Sequence, residues 1–439
     1  MKQITKILLN EYQHFIRSPF KVVSLLLFMG AAIYGLQNGL TLYKKQQLEI
    51  AAIKTKDQES IQKVEQWFKE GKAGPEDRPW VNITKPFWAV WYMPTTAVKA
   101  PSPMMPFSLG QSEQFGYYKK VTNWSTIFDG DLAEEIANPE RLTVGTLDFS
   151  FVLIYLLPIL IIVWLFNIGG LEKDLGFSRL IQVNQMSSSH WLLARFMFYF
   201  GLLIGILLLI MTAYAFTTPI FSQYTAQFFT LLLYIFLYML LWFAVFYAIN
   251  YWGKGSSDQA LKMVAVWLVF CILVPGAIHQ SASLKYPVGY MTDFIDITRE
   301  ESEKLQQLSM KDQRRKLFES YPTLANTKQG KDTSINEEIM GYSSSALANQ
   351  LMINATAQIE AKQEQKNQFI KNTYLINPVS LFQNNINNIA GTDYYAYQAY
   401  RKQIQQLINQ KIEIILMASW NKDSINQAAY SKYLRQLSK

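Results

Sequence analysis

Long apolar runs alternate with long polar segments along this chain of 439 residues. A helix needs about 20 mainly apolar residues to cross the hydrocarbon core of a bilayer. Charged residues or Trp and Tyr border the apolar runs, and such rings favour the headgroup level, as at Trp191, Tyr251 and Trp252. The pattern therefore predicts an α-helical polytopic membrane protein, whose five spans cover residues 22–40, 149–170, 191–216, 229–252 and 263–278.

The centres of the five predicted spans carry no Lys, Arg, Asp or Glu. A charge at the centre of a membrane helix costs about 2.5–3.5 kcal/mol on insertion scales. Proton relays and ion-coupled carriers depend on ionisable groups within the membrane. The pattern therefore argues against both of these functions.

Between the second and third spans the chain becomes abruptly charged, in a short segment, 171–190. We expect this segment to form a hairpin at the membrane surface, where it is presented to a soluble partner. The alternative is a solvated loop whose charges only set the membrane topology. Its charged residues are Glu172, Lys173, Asp174 and Arg179.

Lys and Arg near the span ends set the orientation of a membrane protein. Here they precede the first span and flank the second-to-third and fourth-to-fifth connections, whereas residues 217–228 carry no charge. This pattern predicts a cytoplasmic N-terminus. The two large polar segments, 41–148 and 279–439, are then extracytoplasmic.

Residues 1–21 precede the first span, and the pattern over 3–18 predicts an amphipathic helix that lies in the membrane surface. We expect the chain to turn into the membrane at Ser18-Pro19. A cleaved signal peptide is the alternative, but no small-x-small site follows the apolar run cleanly. The apolar side of the predicted surface helix consists of Ile4, Leu8, Tyr12 and Phe15.

The first polar segment begins with helix formers. Residues 41–70 contain no Gly or Pro and stop at Gly71, which predicts that the first span continues outward as a helical stalk. Prolines and aromatic residues then alternate from Pro86 to Phe107. This alternation favours irregular aromatic packing, with short strands such as 88–92 as the alternative.

The second polar segment has a helical composition rich in Glu, Lys, Gln and Leu. Together with the first polar segment it is expected to fold into one mostly helical domain, because the two adjoin the first, second and fifth spans. The pattern predicts, in chain order, helices over 300–319 and 336–371, a break at Asn377-Pro378, a short helix that ends at Gly391, and a helix capped by Thr392 or Asp393 that runs to about Trp420.

Composition fits apolar spans combined with polar domains, since half of the residues are hydrophobic while the mean hydropathy is only +0.03. The net charge of +8 is spread among acidic residues without a basic run, which argues against nucleic-acid binding. The single cysteine, Cys271, excludes a disulfide framework. No metal site or cofactor is expected in this chain, since the relevant side chains are scattered or lack His and Cys neighbours: His14, His190 and His279, and Met93, Met104 and Met105.

Four patches are distinctive in their order and spacing. They are Pro101-Ser102-Pro103 with Gly110-Gln111-Ser112; Asn138-Pro139 with Asp148-Phe149-Ser150-Phe151-Val152 and Tyr155-Leu156-Leu157-Pro158; Glu172-Lys173-Asp174-Leu175-Gly176; and Asn377-Pro378 with Ala390-Gly391-Thr392-Asp393. Through these patches, most of the chain resembles a permease subunit of the type-2 ATP-binding-cassette exporters, in the subgroup with large extracytoplasmic insertions.

The resemblance implies that the hairpin is a coupling helix, which docks on a cytoplasmic ATPase subunit, and that the N-terminal surface helix is a second contact. The residues implied are Glu172, Lys173, Asp174 and Arg179 as polar contacts, Phe177 as an apolar anchor, and Gly176 as a helix end or a point of close backbone approach.

The resemblance further implies a bacterial inner membrane location and a dimer with a second permease, either identical or different. The ATPase partner would bind ATP and Mg²⁺, because this chain has no G-x-x-x-x-G-K-[ST] motif and is not expected to be an enzyme. Membrane lipid and an extracytoplasmic protein are further expected partners. Two alternatives stay open: mechanotransmission to an outer partner without substrate passage, and an anchored scaffold or receptor.

Two features depart from the family pattern. The family has a sixth span after the second outer segment, whereas the only comparable apolar patch here, 412–420, is short and contains Glu413. Either the sequence stops short of the natural end or the sixth helix has been lost. The Gly-Thr of the family hairpin is Gly176-Phe177 here, which predicts an altered docking contact.

Overall fold

The computed structural model describes residues 2–129, 131, 147–176, 187–288 and 290–437, which are mostly helical. Five of its helices are long and apolar enough to cross a membrane, which agrees with the predicted fold class. The helices are α1 (Lys2–Ile16), α2 (Pro19–Glu70), α3 (Pro86–Trp91), α4 (Phe149–Phe151 and Leu157–Leu165 around a π turn, Val152–Leu156), α5 (Gly170–Asp174), α6 (Ser188–Phe216), α7 (Ile220–Gln223), α8 (Thr225–Trp252), α9 (Ser256–Leu268 and Val274–Lys285 around a π turn, Val269–Leu273), α10 (Tyr290–Gln306), α11 (Met310–Ser320), α12 (Lys328–Lys331), α13 (Glu337–Lys371), α14 (Pro378–Ala390), α15 (Tyr394–Trp420) and α16 (Gln427–Leu437).

The span helices α2, α6, α8 and α9 extend beyond the predicted spans, whereas α4 ends at Leu165, within the predicted 149–170. The fifth was predicted over 263–278, yet α9 begins at Ser256 and ends at Lys285. The first continues without a break into the stalk that the sequence predicts, and 52 residues at about 1.5 Å each make α2 roughly 78 Å long. Gly71 ends α2 in the left-handed conformation, with φ +68°.

Helix α4 is the central span, since 67% of its most apolar stretch is buried inside the protein, against 17% for α9. Pro158 lacks an N–H, so the carbonyl of Ile154 one turn earlier loses its helical partner. The Tyr238 hydroxyl of α8 donates to that carbonyl at 2.9 Å, and the Cys271 thiol of α9 lies 3.7 Å from it. Two neighbouring spans therefore supply hydrogen-bond partners for the Ile154 carbonyl, as a backbone group in an apolar environment requires.

The two polar segments pack into one lobe beyond one end of the spans, which we call the lobe end; the opposite end, beside α5, is the hairpin end. Val64 and Trp67 of α2 share a hydrophobic cluster with Ile415 of α15 and Tyr430 of α16. Residues 86–91, near the stretch where a strand was the alternative, form helix α3 instead. The lobe holds a two-stranded antiparallel ribbon, β1 (Thr96–Val98) and β2 (Tyr118–Lys120).

Several helix boundaries in the second polar segment match the sequence pattern. The Asp393 carboxylate accepts from the Ala396 N–H at 3.2 Å, so Asp393 rather than Thr392 caps α15. The helix predicted over 300–319 is interrupted between α10 and α11, because Ser309 caps a new helix there. Helix α16 was not predicted.

Helix α14 lies among the spans rather than within the lobe. Its Phe382 ring stacks on Tyr238, midway along α8, with centroids 4.1 Å apart and planes 8° from parallel. Val379 and Ile386 join Phe382 in the buried cluster that the span helices form. The segment after Lys371 therefore returns into the span layer, reverses at Asn377-Pro378, and leaves toward α15.

A lysine is buried in the core of the lobe. Lys411 of α15 is 1% exposed, and its ammonium donates to the carbonyls of Met93 at 2.8 Å and Val90 at 3.3 Å. Burial disfavours the charged form and lowers the pKa of Lys411 from 10.5 to about 7. Nearby Lys120 lowers the pKa further, while Asp57 opposes the shift.

Replacement of this lysine tests the cost of its burial. Between pH 7 and 10.5 the unfolded chain binds a proton at Lys411 that the folded chain does not, so stability should rise with pH over this window. We expect Lys411→Met to remove about half or more of that rise, as measured by thermal unfolding of the purified chain. The exposed Lys402 on the same helix offers a control. An equal loss of pH dependence in Lys402→Met would contradict the assignment to Lys411.

Candidate functional site

A buried arginine joins three elements at the hairpin end of the spans. Arg195 lies about two turns into α6, and its side chain is only 12% exposed. Its guanidinium forms an ion pair with Glu11 of α1 and a second one, at 2.6 Å, with Glu172 of α5. It also donates to the Ile168 carbonyl at 2.9 Å, just before α5. One planar, permanently charged group thus connects α1, α5 and α6.

The first span joins the same cluster. The Lys21 ammonium donates to the Tyr199 hydroxyl at 2.6 Å, and that hydroxyl donates to Glu11 at 3.0 Å. Trp191 donates from its indole N–H to Glu172 at 2.8 Å. We call these six residues the polar network: Glu11, Lys21, Glu172, Trp191, Arg195 and Tyr199.

The three charged residues of α5 that the sequence assigns to the coupling hairpin all have partners within the chain. Glu172 belongs to the polar network. Lys173 donates to the carbonyls that end α8, at 3.3 Å for Asn250, 3.3 Å for Tyr251 and 2.6 Å for Gly253. Asp174 accepts from the Ser256 N–H at 3.1 Å, at the start of α9. These contacts bind α5 to the third, fourth and fifth spans.

Lys173 and Asp174 stay exposed despite these contacts, and two leucines at the hairpin end are exposed as well. Leu171 and Leu175 are 45% and 57% exposed. Gly176 has φ +74°, a left-handed conformation that ends the helix, and no described atom of the chain lies within 4 Å of where a Cβ would be. The predicted contacts Phe177 and Arg179 lie outside the described residues.

The N-terminal helix presents a different face to the protein from the one expected. Ile7, Glu11 and Phe15 are buried, at 4–6% exposure, whereas Ile4 and Tyr12 are 46% and 53% exposed and Leu8 is half-buried. Of the predicted side, only Phe15 packs firmly inward, with its ring centroid 5.4 Å from that of Trp164. The exposed part of the predicted side remains available to lipid or a partner.

At the lobe end, a second cluster of contacts joins the spans to the lobe. The Asp148 carboxylate caps α4 by accepting from the Phe151 N–H at 2.7 Å, and it accepts from the Leu109 N–H at 3.0 Å. The Thr392 hydroxyl donates to the Ser108 carbonyl at 3.0 Å, and the Gln111 N–H donates to the Thr392 carbonyl at 2.9 Å. We call this region, 99–112 with 148–149 and 387–393, the joint.

Two glycines one turn apart let the first span approach the joint. A Cβ on Gly35 would lie 2.7 Å from the Asp148 backbone, and one on Gly39 would lie 2.6 Å from Pro106. Real Cβ atoms do not approach so closely, so larger residues here would separate α2 from the joint. Three of the four patches that carry the family resemblance meet in this joint; Asn138-Pro139 lies outside the described residues.

A partly buried lysine completes the joint. The Lys99 ammonium donates to the Gly391 carbonyl at 2.8 Å and lies 4.3 Å from the centre of the Tyr397 ring. Burial lowers the pKa of Lys99 to about 8, while Asp393 opposes that shift. The lysine satisfies the carbonyl of the glycine that ends α14.

Sequence reasoning used Lys21 and Arg195 only to set orientation and did not single out Glu11 or Tyr199. One signal could have identified Glu11: it lies in the apolar stripe Ile7, Glu11, Phe15 of an amphipathic helix, where a buried carboxylate needs a partner. Among the described residues, no group of three or more His, Cys, Asp or Glu side chains is placed to hold a metal ion. The arrangement is suited to transmitting movement between α1, α5 and the spans.

Removal of Arg195 should be strongly destabilising, because it leaves Glu11 and Glu172 unpaired. We expect Arg195→Leu to lower the free energy of unfolding by about 3–5 kcal/mol, measured by denaturant unfolding in micelles. Adding Glu11→Leu and Glu172→Leu should recover much of this loss, since apolar replacement of a whole buried ion cluster is often tolerated.

The exposed pair Arg299 and Glu303 is the matched control, with side chains 80% and 63% exposed. Arg299→Leu should leave stability unchanged within error, because exposed pairs contribute little. A similar loss in Arg195→Leu and Arg299→Leu would show that the polar network does not depend on Arg195.

Residues 294–435 match the family model of a domain of unknown function, DUF3526. The match begins within α10 and ends within α16, so it covers the second polar segment of the lobe together with the inserted helix α14. No curated protein and no solved structure matches the chain. The match therefore assigns no function to this part of the chain.

Proposed function

We propose that this chain is the permease subunit of an ATP-driven export complex in the bacterial inner membrane, with its hairpin end in the cytoplasm and its lobe outside. The hairpin and α1 contact a separate ATPase subunit, which binds ATP and Mg²⁺. A second permease completes the complex. The observation that carries this proposal is the bridge from Arg195 to Glu11 and Glu172, because it unites both proposed ATPase contacts with the third span.

The exposed face of α5 is the proposed contact. Glu172, Lys173 and Asp174 are held by partners in the chain, so they fix the orientation of α5 on the spans. Leu171 in α5 and Leu175 directly after it are exposed. The fully buried core of a protein–protein interface is more apolar than the polar rim around it.

Leu175→Glu should therefore weaken the ATPase complex without unfolding the chain. We expect copurification of the ATPase with the tagged chain to fall about tenfold, since burial of a charge without a partner costs at least 1.4 kcal/mol. The measurement is the ratio of ATPase to tagged chain after purification from native membranes.

Leu48→Glu is the matched control, because Leu48 is 72% exposed on the stalk and far along α2 from the hairpin end. It should leave the ratio unchanged. Full retention of the ATPase by Leu175→Glu would overturn the docking assignment. Charge reversal at Glu172 or Asp174 is a poorer test, because it also breaks contacts within the chain.

A second candidate function is mechanotransmission, in which ATP hydrolysis moves the lobe without substrate passage. The observation that favours it is the unbroken helix α2, which runs from the polar network through the span and into the lobe. A single stiff helix of this length transmits a tilt at one end to the other.

A proline in the stalk tests this second function. Ala52 is exposed in the stalk, and Ala52→Pro should break α2 there at a cost of about 3 kcal/mol. Spin labels at positions 69 and 254, in a Cys271→Ser background, report the distance between lobe and hairpin end with and without nucleotide in the ATPase complex. We expect a nucleotide-dependent change in Ala52→Ser that is lost in Ala52→Pro. Persistence of the change in Ala52→Pro would exclude the stalk as transmitter.

A further inference from the structure

A cleft of about 460 Å³ opens beside the joint, where α13, α14 and the start of α15 meet the lobe end of α9. His279 of α9 and Gln111 of the joint complete its lining. Pockets that bind small molecules or cofactors measure about 300–1,000 Å³, so the cleft can hold a ligand of that size. It is distinct from the proposed ATPase contact, which lies at the opposite end of the spans.

Side-chain amides dominate the lining. An amide both donates and accepts hydrogen bonds, so it pairs with groups that do the same. Ile370 is the one aliphatic residue among the residues that line it. The amide residues are Gln111, Gln363, Asn367, Asn384, Asn385, Asn387 and Asn388.

Several of these amides have bonding capacity that the described chain does not use. The Asn367 NH₂ group and the Gln111 amide oxygen are buried and have no hydrogen-bond partner among the described residues. Asn384 donates to the Tyr374 hydroxyl at 2.8 Å and Asn385 to the Leu381 carbonyl at 2.8 Å, which leaves both amide oxygens as acceptors. Buried polar groups normally find partners, so these atoms indicate a polar ligand.

Aromatic rings and charge narrow the class of ligand. Tyr374, Tyr394 and Tyr395 contribute ring surface to the lining. Lys366 and Lys371 face only one lining carboxylate, Asp393, so the lining carries one excess positive charge. Lys371 already donates to the Tyr395 hydroxyl at 2.7 Å, so the positive charge that remains to attract a polyanion is small.

We infer that this cleft binds an uncharged polyhydroxylated group, namely a sugar. Each sugar hydroxyl donates and accepts, as the amides do, and the apolar C–H face of a sugar ring fits against tyrosine rings. A peptide would need an unpaired strand edge or apolar side-chain pockets, and the lining offers neither.

The sugar has two sources, a free oligosaccharide or the headgroup of a glycolipid. Leu375 and Ile376, in the turn beside Tyr374, are 99% and 63% exposed. This apolar turn adjoins the cleft on the side where α14 enters the span layer. A lipid-linked sugar would place its chains against such a surface.

The experiment uses the full chain in nanodiscs. Fluorescence polarisation with labelled maltoheptaose and mannan oligosaccharides tests the free source, and native mass spectrometry with digalactosyl diacylglycerol, against phosphatidylglycerol, tests the lipid source. We expect one of these sugars to bind and Asn367→Leu to weaken binding about tenfold, the loss of about 1.4 kcal/mol from an unmade hydrogen bond.

Asn354→Leu is the matched control, because Asn354 is exposed on the same helix α13, away from the cleft. It should leave sugar binding unchanged. The inference is overturned if no sugar binds to the wild-type chain, or if Asn354→Leu and Asn367→Leu weaken binding equally. Copurification of the ATPase should be unaffected by Asn367→Leu, so failure here is distinguishable from failure of the proposed function.

Discussion

A charge removed from water must be paired, and at the hairpin end of this protein one guanidinium pairs with two buried carboxylates. The three side chains come from three different helices. Arg195 lies within an apolar helix, and both of its carboxylate partners are themselves largely buried. In low polarity, separation of such groups costs far more than it does at a surface. The ion pairs therefore hold helices α1, α5 and α6 in one arrangement, because movement of any one helix alone would leave a charge unpaired.

Three span helices, α2, α4 and α6, reach from the polar network to the joint. Helix α2 connects the polar network to the joint through Lys21 and Gly39. Helix α6 connects them through Arg195 and Tyr214, and the Tyr214 ring centroid lies 5.1 Å from that of Phe107 in the joint. Helix α4 starts at the joint and continues into α5 at the network. Packed interiors deform little, so under the proposed function a displacement of α5 would move this body as a unit.

Much of this fold could be predicted from the sequence because its signals are local. Apolar length identifies the spans, absence of Gly and Pro identifies the stalk, and Gly71 and Asp393 mark helix ends. The insertion of α14 between spans could not be predicted with the same ease, since its apolar stripe is that of any amphipathic helix. Its partner Tyr238 is known only once the tertiary structure is known.

The candidate site shows the same division. The sequence predicted that Glu172, Lys173 and Asp174 contact an ATPase subunit. In the structure each of them forms a hydrogen bond within the chain. A charged residue in a short loop between spans can serve either purpose, and sequence distance does not reveal which.

Contacts of this kind make α5 a rigid extension of the spans rather than a flexible loop. Rigidity is what a coupling element requires, because a loop that yields absorbs the displacement that it should transmit. Under the proposed function, the burial of Glu172 would therefore serve coupling better than its exposure, and the exposed Leu171 and Leu175 would supply the surface on which the ATPase acts.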